Sequence, residues 1–138
     1  MRYITGQFAL NLPCSLETCG DWHTSAMNWD NLRFSESDGS IFGDYGIETC
    51  DCVPEHEGVF YIADTLRALL DLLIEGRFSV AQGARDDFIC NDSYTKEFFE
   101  KVYQLKTLSH WNKIDKFMEK EYELEWLDYR RVRDKESL

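Results

Sequence analysis

The run from Val59 to Glu75 constrains the chain more than any other stretch. Ile62, Leu66, Leu69, Leu70 and Leu73 recur there at spacings of three and four, while Asp64, Arg67, Asp71 and Glu75 take the other side. That periodicity predicts an amphipathic helix, and Gly76 is a natural stop because glycine tolerates the left-handed conformation that closes helices. An apolar helix face has to be covered, so the rest of the chain is read for what covers it.

N-terminal to this helix the pattern is short and turn-rich. Arg2 to Thr5 reads as a brief strand ended by Gly6, and Phe8, Leu10 and Leu12 alternate with Ala9 and Asn11 as a half-buried strand closed by Pro13. Asp21 or Thr24 would cap a short helix through Ala26 and Met27. Leu32 and Phe34, then Ile41, Phe42, Tyr45 and Ile47, read as two short strands joined by an exposed acidic turn at Asp38-Gly39, a hairpin signal. Cys50 to Glu57 is a polar connection into the central helix.

C-terminal to Gly76, Phe78, Val80 and Ala81 lead to a turn at Arg85 to Asp87. Asp92 or Ser93 then caps a helix carrying Tyr94, Phe98, Val102 and Leu105 on one face and ending near Thr107. Ser109 caps a last helix with Trp111, Ile114, Phe117, Met118, Tyr122, Leu124 and Leu127 on its apolar side; its alternating Lys and Glu read as a solvated face, and residues 130–138 are expected to fray. The expected fold is one small α+β domain spanning 1–138: short antiparallel strands and turns in an acidic region, 1–57, packed on three principal helices in 58–138.

At 43% hydrophobic and 14% aromatic the chain has enough apolar surface to fold despite its charge of -11. The acidity is uneven. Residues 1–57 hold ten acids against Arg2 and Arg33, whereas 58–138 hold sixteen acids against thirteen bases. Such a field repels phosphate backbones, so direct nucleic-acid binding is not expected, while a basic protein partner is favoured; the alternative is that the charge serves solubility alone. The N-terminus shows no signal-peptide pattern and no apolar run approaches a bilayer span, so the chain is expected to be cytoplasmic, away from membranes, with its five cysteines reduced.

The densest group of reactive residue types lies between Cys14 and Trp29. Cys14, Cys19 and His23 are spaced Cys-x4-Cys-x3-His, and Cys50, Cys52 and His56 would complete a zinc set from a second loop. Paired Cys-x2-Cys knuckles are the usual zinc frame and neither loop has one, so no cofactor is expected and zinc is the alternative. Cys19, His23 and Asp21 would form a nucleophile, base and orienting group if one turn brought them together, but no phosphate loop, nucleophile elbow or His-Glu-x-x-His supports an enzyme. Recognition suits the composition better: Trp22, Trp29, Asp38, Asp44, Tyr45 and Glu48 place aromatic anchors among carboxylates, with burial the expected fate of some of those rings.

Met1 to Gly6, Ala9 to Cys14 and Cys19 to His23 resemble the start of small uncharacterised bacterial and phage-associated proteins encoded beside nucleotidyltransferase-type toxins. The resemblance covers roughly the first thirty residues and carries no functional residue across. It implies an antitoxin-like role and weighs against an enzyme. The expected function is therefore that of an acidic inhibitor or antitoxin-like protein that restrains a basic, nucleic-acid-handling partner.

Overall fold

The run that predicts one long helix divides at Asp64. Phe60–Ala63, rich in aromatic and β-branched side chains, forms a strand, β4; Thr65–Glu75 forms the helix, α2, capped by the Asp64 carboxylate, which accepts the Arg67 N–H at 2.8 Å. Gly76 ends α2 as expected, at φ 75°. Residues 1–21 and 23–136 are described in this computed structural model.

Three further strands, β1 (Arg2–Ile4), β2 (Phe34–Glu36) and β3 (Ile47–Cys50), join β4 in the order β2-β1-β4-β3. The sheet is mixed rather than antiparallel throughout: β1 runs parallel to β4 through Ile4 and Ile62, and antiparallel to β2, as β3 does to β4. The expected hairpin around Asp38-Gly39 is not formed, because β2 and β3 lie on opposite edges of the sheet. Nor does residue 57 separate two regions, since β4 beyond it lies beside β1 at the centre of the sheet.

Both faces of the sheet are covered. On one, Tyr3 and Ala63 pack with the α2 leucines, which in turn meet α4 (Thr95–Tyr103), α5 (Trp111–Tyr122) and α6 (Leu124–Glu136) through Phe98, Val102, Met118 and Trp126. On the other, Ile4, Ile62 and Cys50 pack with Leu12, Trp29 and Val53. Phe8 to Leu12, read as a strand, is mostly helix α1 (Gly6–Leu10). Its alternation has another cause: Ala9 and Leu10 enter the first cluster, while Phe8 on the helix and Leu12 just past its end enter the second. A five-residue helix wedged between two cores, with Gln7 its one exposed residue, is too short to reveal its period.

The last predicted helix is two, broken at Glu123, whose φ of 56° turns the chain so that α6 packs back on α5. The terminal residues expected to fray remain helical to Glu136, where Arg130 is held by Asp115 at 2.5 Å and Lys106 lies 3.8 Å from Asp134. α5 begins after His110, without a Ser109 side-chain cap. A four-residue helix, α3 (Phe78–Ala81), and a wide turn at Ala84–Ile89 connect α2 to α4. Among the described residues no helix is long and apolar enough to cross a membrane.

The expectation of reduced thiols is corrected. Cys19 is disulfide-bonded to Cys90 and Cys50 to Cys52, and Cys14 alone is free. The first bridge ties the loop after α1 to the turn before α4 across 71 positions, a closure that removes about 4 kcal/mol of chain entropy from the unfolded state.

Trp29, expected as a possible anchor, is instead 3% exposed, edge-on to Phe8 at 5.5 Å, with its indole N–H donating to the Thr24 carbonyl. Trp29→Ala should cost about 3–5 kcal/mol in a denaturant titration.

Candidate functional site

Arg67 stands on the side of α2 that periodicity assigns to solvent, yet it is fully buried. A guanidinium has five N–H donors, and burial is tolerable only where each finds an acceptor. Here all five do. Nε–H donates to Asp71 Oδ1 at 3.0 Å, one terminal nitrogen donates to the carbonyls of Gly43 and Tyr45 at 2.7 Å each, and the other donates to Tyr3 Oη at 3.0 Å and Ser40 Oγ at 3.2 Å. Asp71 is completed through Oδ2, which accepts from the Tyr3 hydroxyl at 2.6 Å and the Thr5 hydroxyl at 2.7 Å. Burial, and then the bond to Asp71, push the Tyr3 phenol well above its ordinary range, so it remains a donor.

The acceptors Ser40, Gly43 and Tyr45 lie in the segment between β2 and β3, so this network fixes an irregular loop to a helix. Ser37 adds a hydroxyl bond to Asp44 at 2.7 Å and an N–H bond to the Met1 carbonyl at 2.8 Å. Gly46 is required where the loop passes α2: its φ is 72°, and a Cβ there would lie 2.7 Å from Arg67 Cβ. The loop presents Asp38 (86% exposed side chain), Ile41 (48% exposed) and Asp44. Part of its acidity is neutralised internally, because the Met1 ammonium pairs with Glu36 and lies 3.4 Å from Asp38.

Beyond the loop the acidic surface continues. Tyr45 is half-buried; its hydroxyl donates to Glu97 at 2.5 Å and its ring lies 4.2 Å from the Lys101 ammonium. Burial, and then Glu97, raise its phenol above the usual range. Glu48 accepts from the Ser15 N–H at 2.8 Å and from its hydroxyl at 2.5 Å. Asp64, beneath both, has its carboxyl raised from 3.8 to about 6, first by burial and further by the charges of Glu48 and Glu97.

Of the residues expected to bind a partner, Asp38, Asp44, Tyr45 and Glu48 thus belong to this region, Trp29 is in the core, and Trp22 lies outside the described residues. Ile41, Asp64 and Glu97 were not anticipated. Ile41 gave no signal beyond an apolar residue in an acidic turn, while Arg67 and Asp71, four apart, carried the spacing of an ion pair on one helix.

The metal and catalytic alternatives are corrected. Cys19, Cys50 and Cys52 are taken up in disulfides, so they offer no thiolate. Cys14 Sγ lies 3.6 Å from the Thr65 hydroxyl, His56 donates through Nε2–H to the Trp29 carbonyl at 2.7 Å, and His23 is exposed. Among the described residues no group of three or more potential ligands converges. Asp21 does stand 4.0 Å from His23, with Asn11 donating to its other oxygen at 3.4 Å, but the sulfur meant to act as their nucleophile is bonded to Cys90.

Arg67→Met removes one member of a buried pair and takes the guanidinium away from Asp71 Oδ1 and from the Gly43 and Tyr45 carbonyls, while Asp71 Oδ2 keeps the Tyr3 and Thr5 hydroxyls. It should cost about 3–5 kcal/mol in a denaturant titration and raise amide exchange across 40–46. Asp64→Asn keeps an acceptor for the cap but cannot ionise. Because the folded pKa of Asp64 is above its unfolded value, its contribution is fully present below about pH 3.8 and lost as pH rises through about 6. The stability difference between the Asn variant and the parent should therefore move in favour of Asn by on the order of 2–3 kcal/mol between pH 4 and pH 7, read from paired urea titrations. No family model, curated protein or solved structure matches this chain.

Proposed function

We propose that this chain is an acidic protein-binding inhibitor, antitoxin-like in action, that restrains a basic, nucleic-acid-handling partner through the loop between β2 and β3 and the carboxylates beside it. The observation that carries the reading is the loop itself: an exposed apolar side chain, Ile41, set among carboxylates on a backbone pinned from below by Arg67. A loop already ordered loses little entropy on association, so contacts made there are not spent on freezing the chain. Carboxylates around an apolar centre match the usual interface plan of a dry middle and a charged rim, and they speed encounter with a cationic surface. Overall charge supports the same direction, and the resemblance of the first thirty residues supplies the antitoxin-like element.

The test is affinity capture with the full chain from the native host, followed by binding kinetics on the purified partner. Ile41→Ala and Asp38→Asn should leave thermal stability within about 0.5 kcal/mol of the parent, since both side chains are exposed, and should weaken binding by about tenfold for Ile41. Association should slow several-fold as salt rises from 0.05 to about 0.5 M, because surface charge is screened over about 10 Å at 0.1 M. A captured partner that is acidic, or one whose binding ignores both substitutions and salt, would overturn the proposal.

A further inference from the structure

The two bases in the acidic first 57 residues, Arg2 and Arg33, stand at one cleft. Arg33, just before β2, lines it; Arg2 places its guanidinium 3.8 Å above the ring of Phe34, which forms part of the wall. A third arginine, Arg77, reaches the same cleft from the end of α2, where its backbone N–H is fixed to the Leu72 carbonyl at 2.9 Å. The cleft has a volume of about 500 Å³, within the range of small-molecule sites.

Charge here runs opposite to that of the chain. With 26 acids against 15 bases, a carboxylate is available to most cations, and Arg67, Arg85, Arg130 and Arg133 each meet one. Arg33 and Arg77 meet none: among the described residues neither forms an ion pair or a side-chain hydrogen bond. Glu75 shares the wall without closing on either. Two uncommitted arginines lining one concavity bring there the donor type that recognises a phosphate or carboxylate in a forked geometry. Phe8, Met27 and Phe34 supply an apolar surface beside them, suited to a ring rather than to a bare ion.

We infer that this cleft binds a small organic anion, its phosphate or carboxylate head held by Arg33 and Arg77 and its flat apolar body against Phe34 and Met27. The site is independent of the acidic loop, so it stands or falls apart from the partner-binding proposal. Glu75 makes the site selective, disfavouring a densely charged ligand and accepting a hydrogen-bond donor on the ligand body.

The probes are adenosine 5′-monophosphate, benzoate and inorganic phosphate, titrated into the ¹⁵N-labelled full chain. Saturable amide shifts confined to residues around Gln7, Asn31, Ser35 and Arg77 are expected with at least one of the two organic anions, at an affinity at least tenfold tighter than for phosphate. Arg33→Gln and Arg77→Gln should each weaken that binding about tenfold or more with little change in melting temperature, while Asp38→Asn leaves it unchanged. Arg77→Lys, which keeps the charge but loses the fork, should weaken binding less than Arg77→Gln does and serves as the folded control should Arg77→Gln disturb the end of α2. No saturable shift with either organic probe, affinity no better than that of phosphate, or binding indifferent to both arginine substitutions would each overturn the inference.

Discussion

The fold depends on keeping one positive charge dry. Arg67 lies where the sheet, the central helix and the β2–β3 loop meet, and its five donors reach acceptors on β1, on α2 itself and at three points of the loop. Taking a guanidinium out of water costs several kcal/mol unless geometry compensates, so each partner's position is coupled to the others. The network ties a loop built of successive turns to the helix and does so from the helix side, leaving Asp38, Ile41 and Asp44 exposed on the outside. That division is why the acidic surface is both ordered and available.

Much of this was legible in the residues, and the failures share a cause. Gly76, the helix through Phe98 and Val102 and the α+β class followed from periodicity and caps, because those elements have one wet face and one dry face. Phe8 to Leu12 pack against both cores and Phe60 to Ala63 are apolar throughout although Tyr61 is exposed, and a helical or strand period cannot be told apart in so short an apolar run. The break at Glu123 escaped for another reason: the residue there is a good helix former, and only the packing of Trp126 and Tyr129 against Phe99 explains why the chain turns. For the surface, Asp38, Asp44, Tyr45 and Glu48 were visible as charges in a turn-rich stretch, whereas Arg67 was assigned to solvent because charged residues rarely lie fully buried.

The cysteines carry a similar lesson. Spacing along the chain suggested ligands or a nucleophile, but Cys19 meets a residue 71 positions away rather than His23 four positions away. Proximity in sequence is weak evidence when loops cross the surface of a sheet whose neighbouring strands are distant in the chain. His56, part of the alternative zinc set, ties the segment after β3 to the Trp29 carbonyl, so it helps to close the second core.

β1 holds an inner position in the sheet, and this bears on how the chain is made. Ile4 finds its parallel neighbour at Ile62, and Tyr3 finds Asp71, so the first strand is synthesised some sixty residues before the groups that enclose it. Until α2 emerges, Tyr3 has no core to enter, and until β4 emerges the nascent segment offers an open strand edge beside apolar side chains. Contacts of such sequence separation slow folding, because loop closure comes before the contacts that reward it. β1 is thus open during translation, although in the finished protein Tyr3 and Ile4 are among the best-buried residues.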